Sequence, residues 1–247
     1  MDTTCIFKRI EKKYLLSEKQ YDALLCRIGS HLIPDAYGRS TVLSLYLDTP
    51  DHRLIRNSIE AVNYKEKLRL RSYGTAADTS TVFLELKKKF DGVVYKRRAA
   101  MTLAEAVRYL EQGSKPFESQ IMSEIDWAMR LYGGLKPAMM IACEREAWFD
   151  EAHPDLRLTF DRNIRCRENE LRLDRGSAGI VLLPEQTLLL EIQTAGAMPL
   201  WLAEALDAEG ILPGRFSKYG TAYTRILQEK KHPVVTIQGG IKHVVNF

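Results

Sequence analysis

Residues 83–98, which read F-L-E-L-K-K-K-F-D-G-V-V-Y-K-R-R, constrain the fold more than any other stretch of the chain. The Asp-Gly dipeptide at 91–92 is a strong signal for a two-residue turn, and apolar and charged residues alternate on both sides of it. The stretch is therefore predicted to be a β-hairpin in which Lys87 lies opposite Lys96. Side chains alternate across a strand, so one face of the hairpin collects its charges. These are Glu85, Lys87, Lys89, Lys96 and Arg98.

The same alternation recurs at residues 64–73, Y-K-E-K-L-R-L-R-S-Y. One charged face on a single hairpin is usually a solvated face, because antiparallel sheets commonly expose one side. Like charges placed directly opposite one another destabilise a sheet, however, and here the pattern occurs on more than one strand. The repetition favours a basic surface built to bind an anion. In this second strand the basic face carries Lys65, Lys67, Arg69 and Arg71.

The composition is that of an ordinary folded protein, because the 247 residues are 45% hydrophobic and 28% charged. The net charge of +4 is modest, and the basic residues alternate with apolar ones instead of exposed aromatics, so nucleic-acid binding is not expected. The four cysteines lie far apart without a C-x-x-C pair, which argues against a zinc site or a disulfide framework. A signal peptide and an apolar run of ~20 residues are both lacking, so the chain is expected to be cytoplasmic and without a membrane span.

The periodicity predicts about eight strands, mostly antiparallel, with helices between some of them. One domain over residues 1–231, followed by a tail at 232–247, is the simplest organisation. The predicted strands cover 6–15, 41–48, 64–73, 82–98 as a hairpin, 139–149, 156–161 and 187–193, and the predicted helices cover 17–31, 102–112, 117–131, 199–209 and a last one that ends near 231. A turn or the cap of a short helical turn is predicted at 48–51, and a small hairpin within 168–184.

Acidic residues recur on the charged faces of these strands, each flanked by apolar neighbours. This pattern fits an α+β fold in which a closed antiparallel β-barrel, with flanking helices, forms a polar tunnel, since about eight strands enclose room for a small ligand. Two like charges ~7 Å apart repel by about 2 kcal/mol at an effective dielectric constant of 20. Lysines and arginines that converge on one lumen therefore require anions, and a chain of phosphates supplies them. The acids are Glu11, Glu85, Glu144, Asp161 and Glu191.

These carboxylates have two candidate roles. Glu85, Glu144 and Asp161 are expected to be structural partners of the basic residues. Glu191 and Glu11 are the candidates for holding Mn²⁺ or Mg²⁺, which bind through one or two carboxylates together with substrate phosphates.

An ordered set of motifs resembles the VTC domain, the catalytic domain of the eukaryotic vacuolar transporter chaperone polyphosphate polymerase, which also occurs as stand-alone bacterial proteins. This family belongs to the triphosphate tunnel metalloenzymes. The resemblance implies a tunnel-forming antiparallel barrel and metal-dependent growth of polyphosphate from ATP. The motifs are E-K-K-Y (11–14), K-L-R-L-R-S-Y-G (67–74), F-L-E-L-K-K-K (83–89), Y-K-R-R (95–98), E-R-E-A-W (144–148), L-R-L-T-F-D (156–161), L-E-I-Q (190–193) and F-S-K-Y-G (216–220).

Carried over motif by motif, the resemblance implies roles for individual residues. Glu191 would coordinate the metal, with Glu11 as the second candidate, and the partners would be ATP and inorganic polyphosphate. The residues that would grip the triphosphate or the growing chain are Lys13, Arg69, Arg71, Lys87, Lys96, Arg157 and Lys218. Those that would bind the nucleotide phosphates are Arg69, Arg71, Lys87, Lys89 and Arg98.

Two departures from the superfamily pattern bear on the activity. The hydrolytic branch, which includes the CYTH thiamine triphosphatases and adenylate cyclases, begins with E-x-E-x-K, whereas residues 9–13 read R-I-E-K-K. The last strand has Gln193 where a lysine is usual. Loss of one acid weakens the metal site and favours the polymerase branch.

Two alternatives stay open. One is a tripolyphosphatase or nucleoside triphosphatase that uses Glu11 as a base for water. The other is a non-catalytic polyphosphate-binding module. The SPX domain and membrane spans of the eukaryotic enzyme have no counterpart here, and a membrane-protein partner stays open.

Overall fold

The computed structural model describes residues 10–60 and 63–231, which form ten strands and six helices. The predicted tail at 232–247 and the start of the first predicted strand lie outside these residues. The strands are β1 (Ile10–Ser17), β2 (Ile33–Pro34), β3 (Ser40–Asp48), β4 (Tyr64–Tyr73), β5 (Thr81–Phe90), β6 (Val93–Thr102), β7 (Lys136–Phe149), β8 (Arg157–Arg167), β9 (Ile180–Val181) and β10 (Thr187–Thr194). The helices are α1 (Glu18–Ile28), α2 (Arg53–Glu60), α3 (Leu103–Gln112), α4 (Gln120–Leu131), α5 (Leu200–Ala208) and α6 (Lys218–Lys231).

All strands belong to one antiparallel sheet, which confirms the predicted α+β class. Its order is β1-β10-β8-β7-β3-β4-β5-β6, while β2 pairs with β7 and β9 pairs with β8. The edge strands β1 and β6 approach one another, but within the described residues no backbone ladder joins them. A closed barrel needs such a ladder, so the predicted closure is not confirmed. A side-chain ion pair links β1 to β5, the strand beside β6, between Glu11 Oε2 and Lys87 Nζ at 2.8 Å.

The hairpin formed by β5 and β6 has the predicted register. Lys87 lies opposite Lys96, and Glu85 lies opposite Arg98. The two turn residues at 91–92 both have positive φ, at 46° and 79°, which is the geometry that a two-residue hairpin turn requires. The neighbouring strand β4 pairs with β5 so that Lys67 also lies opposite Lys87. Three strands therefore place a row of lysines across one face of the sheet.

Local signals fixed the starts of two helices. Ser17 with Gln20, and Thr102 with Glu105, form capping boxes at the predicted starts of α1 and α3. α1 ends at Ile28 and α4 begins at Gln120, each about one turn inside its predicted bound. In the 168–184 connection, only the short strand β9 forms, paired with the end of β8.

Residues 48–51 were predicted to be a turn or the cap of a short helical turn, and α2 follows them. The buried carboxylate of Asp48 accepts hydrogen bonds from the backbone amides of Thr49, Leu54 and Ile55, all at 2.8–3.0 Å. Because the amides of Leu54 and Ile55 lie in the first turn of the helix, the carboxylate caps the helix and interacts favourably with the positive end of its dipole.

Apolar side chains pack on both faces of the curled sheet. On the outer face, α3 and α4 cover β4, β5 and β6, and α1 and α5 cover β1, β8 and β10. On the inner face, α6 packs against β3 and β7 through a third cluster that includes Tyr219, Ala222 and Ile226. The rest of the inner face is left to polar side chains. None of the helices in the described part of the chain has the length and apolar composition needed to cross a bilayer.

Candidate functional site

A cavity of about 2270 Å³ lies on the concave face of the sheet. Every basic residue that the sequence assigned to the site lines it, as do the two candidate metal ligands Glu11 and Glu191. The predicted basic residues are Lys13, Arg69, Arg71, Lys87, Lys89, Lys96, Arg98, Arg157 and Lys218. The cavity is also lined by Lys65 and Lys67, which the sequence placed on the basic face of β4 without a specific role, and by bases that the sequence did not indicate, which are Lys12, Arg145, Arg215 and Arg225.

Glu85 is the fully buried centre of one charged cluster. Its carboxylate lies 2.7 Å from Arg69 Nη2, 2.7 Å from Lys96 Nζ and 2.6 Å from Arg98 Nη2. Arg71 lies farther away, at 3.9 Å, and its Nε donates to the Ser44 hydroxyl. Burial alone would raise the pKa of Glu85, but the surrounding positive charges hold this pKa well below its usual value. One acid on β5 thus holds bases of both neighbouring strands, β4 and β6, in place.

A second cluster surrounds Glu191. Its carboxylate lies 3.0 Å from Lys13 Nζ, 3.0 Å from Lys218 Nζ and 3.2 Å from Arg145 Nη2. Arg145 also makes a bidentate pair with Asp161, with two contacts of 2.6 Å. Asp161 is fully buried, and the charges of Arg145 and Lys218 lower its pKa against the effect of burial.

Arg145 shows where strand alternation misled the sequence analysis. The pattern predicted that Glu144 faces the lumen and that Arg145 faces outward. β7 does alternate, but with the opposite faces: Ile141 and Cys143 pack in the inner cluster with α6, which puts Arg145 on the inner face, while Ala142 packs in the outer cluster. Arg145 lines the cavity, while Glu144 accepts a hydrogen bond from Asn163 Nδ2 outside the charged clusters, at 3.0 Å. The alternation predicts which residues share a face, but it does not say which face turns inward when both carry charges.

The lysine row across β4, β5 and β6 combines two paired lysines with one that lacks a carboxylate partner among the described residues. Lys87 is paired with Glu11, and Lys96 with Glu85. Lys67 donates to the Ser217 hydroxyl at 2.9 Å and forms no salt bridge with any residue that the structure describes. Burial and neighbouring positive charges lower the pKa of Lys67 and that of Lys96 from 10.5 to about 7. An anion in the cavity would restore their full charge.

Two predicted residues lie toward the rim of the cavity. Lys89 is exposed and lies opposite Lys65 near the hairpin turn. The Arg157 side chain is 45% exposed and its Nη2 lies 3.5 Å from Asp35. Neither belongs to the two buried clusters.

The first turn of α6 is held by contacts that the sequence did not indicate. Tyr219 stacks on Tyr46 with ring centroids 4.7 Å apart, and its hydroxyl donates to Asp48 at 2.9 Å. The Tyr46 hydroxyl in turn accepts from Arg69 Nη1 at 3.1 Å. These contacts fix the segment that carries Lys218 into the cavity.

Glu11 and Glu191 could hold a divalent cation only with help from a substrate. Lys13 contacts both, at 3.5 Å and 3.0 Å. Burial would raise the pKa of Glu11, but the charge of Lys87 lowers it to about 2, so the carboxylate is ionised. Across the described ranges, no group of three or more acidic, histidine or cysteine side chains is placed to hold a metal. Two carboxylates completed by phosphate oxygens are a donor set that suits Mg²⁺ or Mn²⁺.

Comparisons with known proteins agree with this architecture. A candidate adenylate cyclase from Bacillus halodurans is similar in structure, with a TM-score of 0.55 and 17% identity over 86% of this chain and 95% of that one. A candidate adenylyl cyclase from Hippeastrum, described as having a dominant triphosphatase activity, gives a TM-score of 0.54 and 17% identity over 88% and 96%. At such identities these likenesses show the fold alone. No curated protein sequence matches the chain.

The comparison with family models is more informative than these structural likenesses, because the match spans nearly the whole sheet and the start of α6. The model of the VTC domain matches residues 8–227, which include both charged clusters and the lysine row. This chain therefore belongs to the VTC domain family.

Proposed function

We propose that the protein is a polyphosphate polymerase that transfers the γ-phosphoryl group of ATP to a growing polyphosphate chain. A terminal oxygen of the chain attacks the γ-phosphorus, the bond between this phosphorus and the β-γ bridging oxygen breaks, and ADP leaves. The polymer gains one phosphate. The attacking oxygen is already anionic, so the protein has only to align the two phosphates and neutralise the charge between them.

The observation that carries this proposal is the incompletely neutralised lysine row inside an extended cavity. Lys67, Lys87 and Lys96 come from adjacent strands and face one another across the sheet. Lysines act as point charges that tolerate different phosphate positions, whereas the forks of Arg69 and Arg71 suit bidentate contacts to phosphate oxygens. Both kinds of group lie along one path, which suits a linear, multiply charged ligand.

The carboxylates favour transfer to phosphate over transfer to water. A hydrolase needs a general base with a pKa near the working pH. The pKa of Glu11 is lowered to about 2, and the pKa values of Glu85, Asp161 and Glu191 are lowered as well, because each acid is paired with basic groups. Lys67 and Lys96 cannot serve as the general base instead, because bound phosphates favour their protonated forms, which cannot accept a proton.

A divalent cation held by Glu11 and Glu191 together with phosphate oxygens would supply further neutralisation of the transferring group. Lys13 and Lys218 hold Glu191 in place and line the same cavity. ATP and polyphosphate account for the basic groups of the cavity, and nothing in the described part of the chain supports a membrane-protein partner.

The direct test is to incubate the purified protein with ATP and either Mn²⁺ or Mg²⁺. Polyphosphate is followed by gel and free phosphate is measured in the same tube. We expect long chains with little free phosphate. Free phosphate without polymer would assign the protein to the hydrolytic branch. If neither product forms but polyphosphate still binds, the protein would be a polyphosphate-binding module.

Binding of metal-free tripolyphosphate is expected to weaken as the pH rises from about 6.5 to about 8.5. The reason is that Lys67 and Lys96, each with a pKa of about 7, lose their protons in this range. Formation of the complex at about pH 7.5 should therefore take up protons. Calorimetry in two buffers with different ionisation enthalpies measures this uptake.

The free protein should show the opposite trend in stability. Folding lowers the pKa of both lysines, so the unfolded chain binds more protons between pH of about 7 and 10.5, and the free energy of unfolding rises with pH there.

The control for the binding experiment is the double variant Lys67→Met/Lys96→Met, whose proton uptake reports the titration of tripolyphosphate itself. Equal proton uptake by this variant and the wild type would contradict the assignment to the two lysines.

A further inference from the structure

One end of the cavity is chemically unlike the rest. Tyr73 is the last residue of β4, and Phe83 and Arg98 lie beside it on β5 and β6. The rings of Tyr73 and Phe83 meet edge to face with centroids 5.9 Å apart. The Arg98 guanidinium lies 4.4 Å from the centroid of the Phe83 ring and donates to the Tyr73 hydroxyl at 3.2 Å. We name these three residues the aromatic–arginine end.

The aromatic–arginine end is already assembled before any ligand binds. Two contacts to Glu85, at 2.6 and 2.7 Å, fix Arg98 from one side, while Phe83 lies against it. Tyr73 remains 50% exposed although it lines the cavity. The face of an aromatic ring offers no hydrogen-bond donor and no positive charge to a phosphate. A fixed guanidinium plane beside an accessible ring instead suits a flat, π-rich group.

The opposite end of the same strands is built from lysines. Lys65 near the start of β4 lies opposite Lys89 near the end of β5. Eight residues separate Lys65 from Tyr73 along the strand, or roughly 27 Å at ~3.4 Å per residue. Burial and the charges of Lys89 and Arg215 lower the pKa of Lys65. A cluster of point charges suits a repeating phosphate chain, so the two ends of the cavity match the two ends of a nucleotide bound to a polymer.

We propose that Tyr73, Phe83 and Arg98 form a stacking subsite for the base of a nucleoside triphosphate whose phosphates run toward the lysine row. Arg71 lies directly opposite Phe83 in the sheet, and Lys96 lies two residues from Arg98 on the same face, so phosphate ligands follow immediately after the stacking surface. The subsite rests on the proposed function, since it adds a base to the triphosphate path. Stacking recognises the face of a ring and tolerates different bases, so ATP and GTP should bind with similar affinity.

The test compares ATP with ribose 5-triphosphate, which carries the same triphosphate without a base. Calorimetry should show that the wild type binds ATP about tenfold more tightly than ribose 5-triphosphate. Tyr73→Leu should remove most of this preference by weakening ATP binding alone, whereas Tyr73→Phe, which keeps the ring, should retain it. Phe90→Leu removes an exposed ring at the hairpin turn and serves as the matched control with unchanged affinity for both ligands.

The outcomes separate the subsite from the proposed function. Equal binding of both triphosphates by the wild type would overturn the subsite and leave the triphosphate path intact. A parallel loss of both affinities in Tyr73→Leu would also overturn the subsite, because the residue would then act only through Arg98. Failure of the wild type to bind either ligand would overturn the proposed function itself.

Discussion

Replacing Lys67 with methionine is expected to lower kcat/KM for polyphosphate synthesis by about 100-fold, the size of effect seen when one charge-stabilising group is removed from an active site. Lys67 is the member of the lysine row that has no carboxylate partner among the described residues, and it faces the paired Lys87 across the sheet. No acid of the described residues competes with phosphate for this group, and a bound phosphate restores its full charge. Steady-state synthesis from ATP, with polymer measured on gels, gives the value.

The same variant should remain at least as stable as the wild type. Removal of the Lys67 ammonium group leaves no buried acid without a counter-charge. Burial already disfavours the charged form of Lys67, as its lowered pKa shows. Lys19→Met, on the exposed surface of α1, is the matched control and should change neither activity nor stability. A Lys67→Met protein that melts earlier and loses activity in proportion would indicate a structural role for this lysine instead.

Replacing Glu85 with glutamine should have the largest effect on stability, a loss of about 3 kcal/mol in the free energy of unfolding. The fully buried carboxylate neutralises Arg69, Lys96 and Arg98, and an amide keeps its shape but not its charge. Removal of one partner from a buried ion pair costs more than the pair itself contributes, because the remaining charges stay buried. Urea denaturation followed by circular dichroism measures the loss.

Glu124→Gln is the control for this substitution. Glu124 pairs with Arg97 on the outer face of β6 and is partly exposed, so the loss should stay below about 1 kcal/mol. Tripolyphosphate should stabilise the Glu85→Gln protein more than the wild type, since bound phosphate replaces the missing negative charge. Equal denaturation midpoints for Glu85→Gln and the wild type would refute the view that one acid holds the basic cluster together.

The parts of the fold that could be predicted are those with local causes. The Asp-Gly turn at 91–92 and the alternation on both sides of it set the register that places Lys87 opposite Lys96. The capping boxes at Ser17 and Thr102 likewise depend on residues only three positions apart. In each case the sequence segment contains all the groups that determine the geometry.

The parts that could not be predicted depend on groups far apart in the chain. The lumen position of Arg145 depends on which face of β7 packs against α6, and the hydrogen bond of Lys67 joins it to Ser217. The sequence indicated a turn or a cap at 48–51, but not the eight-residue helix α2 or the hydrogen bonds of Asp48 to the amides of Leu54 and Ile55. Closure of the barrel is not confirmed, and strand count alone does not fix how the edges β1 and β6 meet.

The cavity takes its charged side chains from β1 near one end of the described chain and from α6 near the other. An unfolded chain cannot assemble such a binding surface, so phosphate ligands bind only the folded protein. At a ligand concentration 100 times the dissociation constant, this adds about 2.7 kcal/mol to the free energy of unfolding. Ligand supply should thus govern survival of the protein against proteases, with faster degradation when polyphosphate and ATP are depleted.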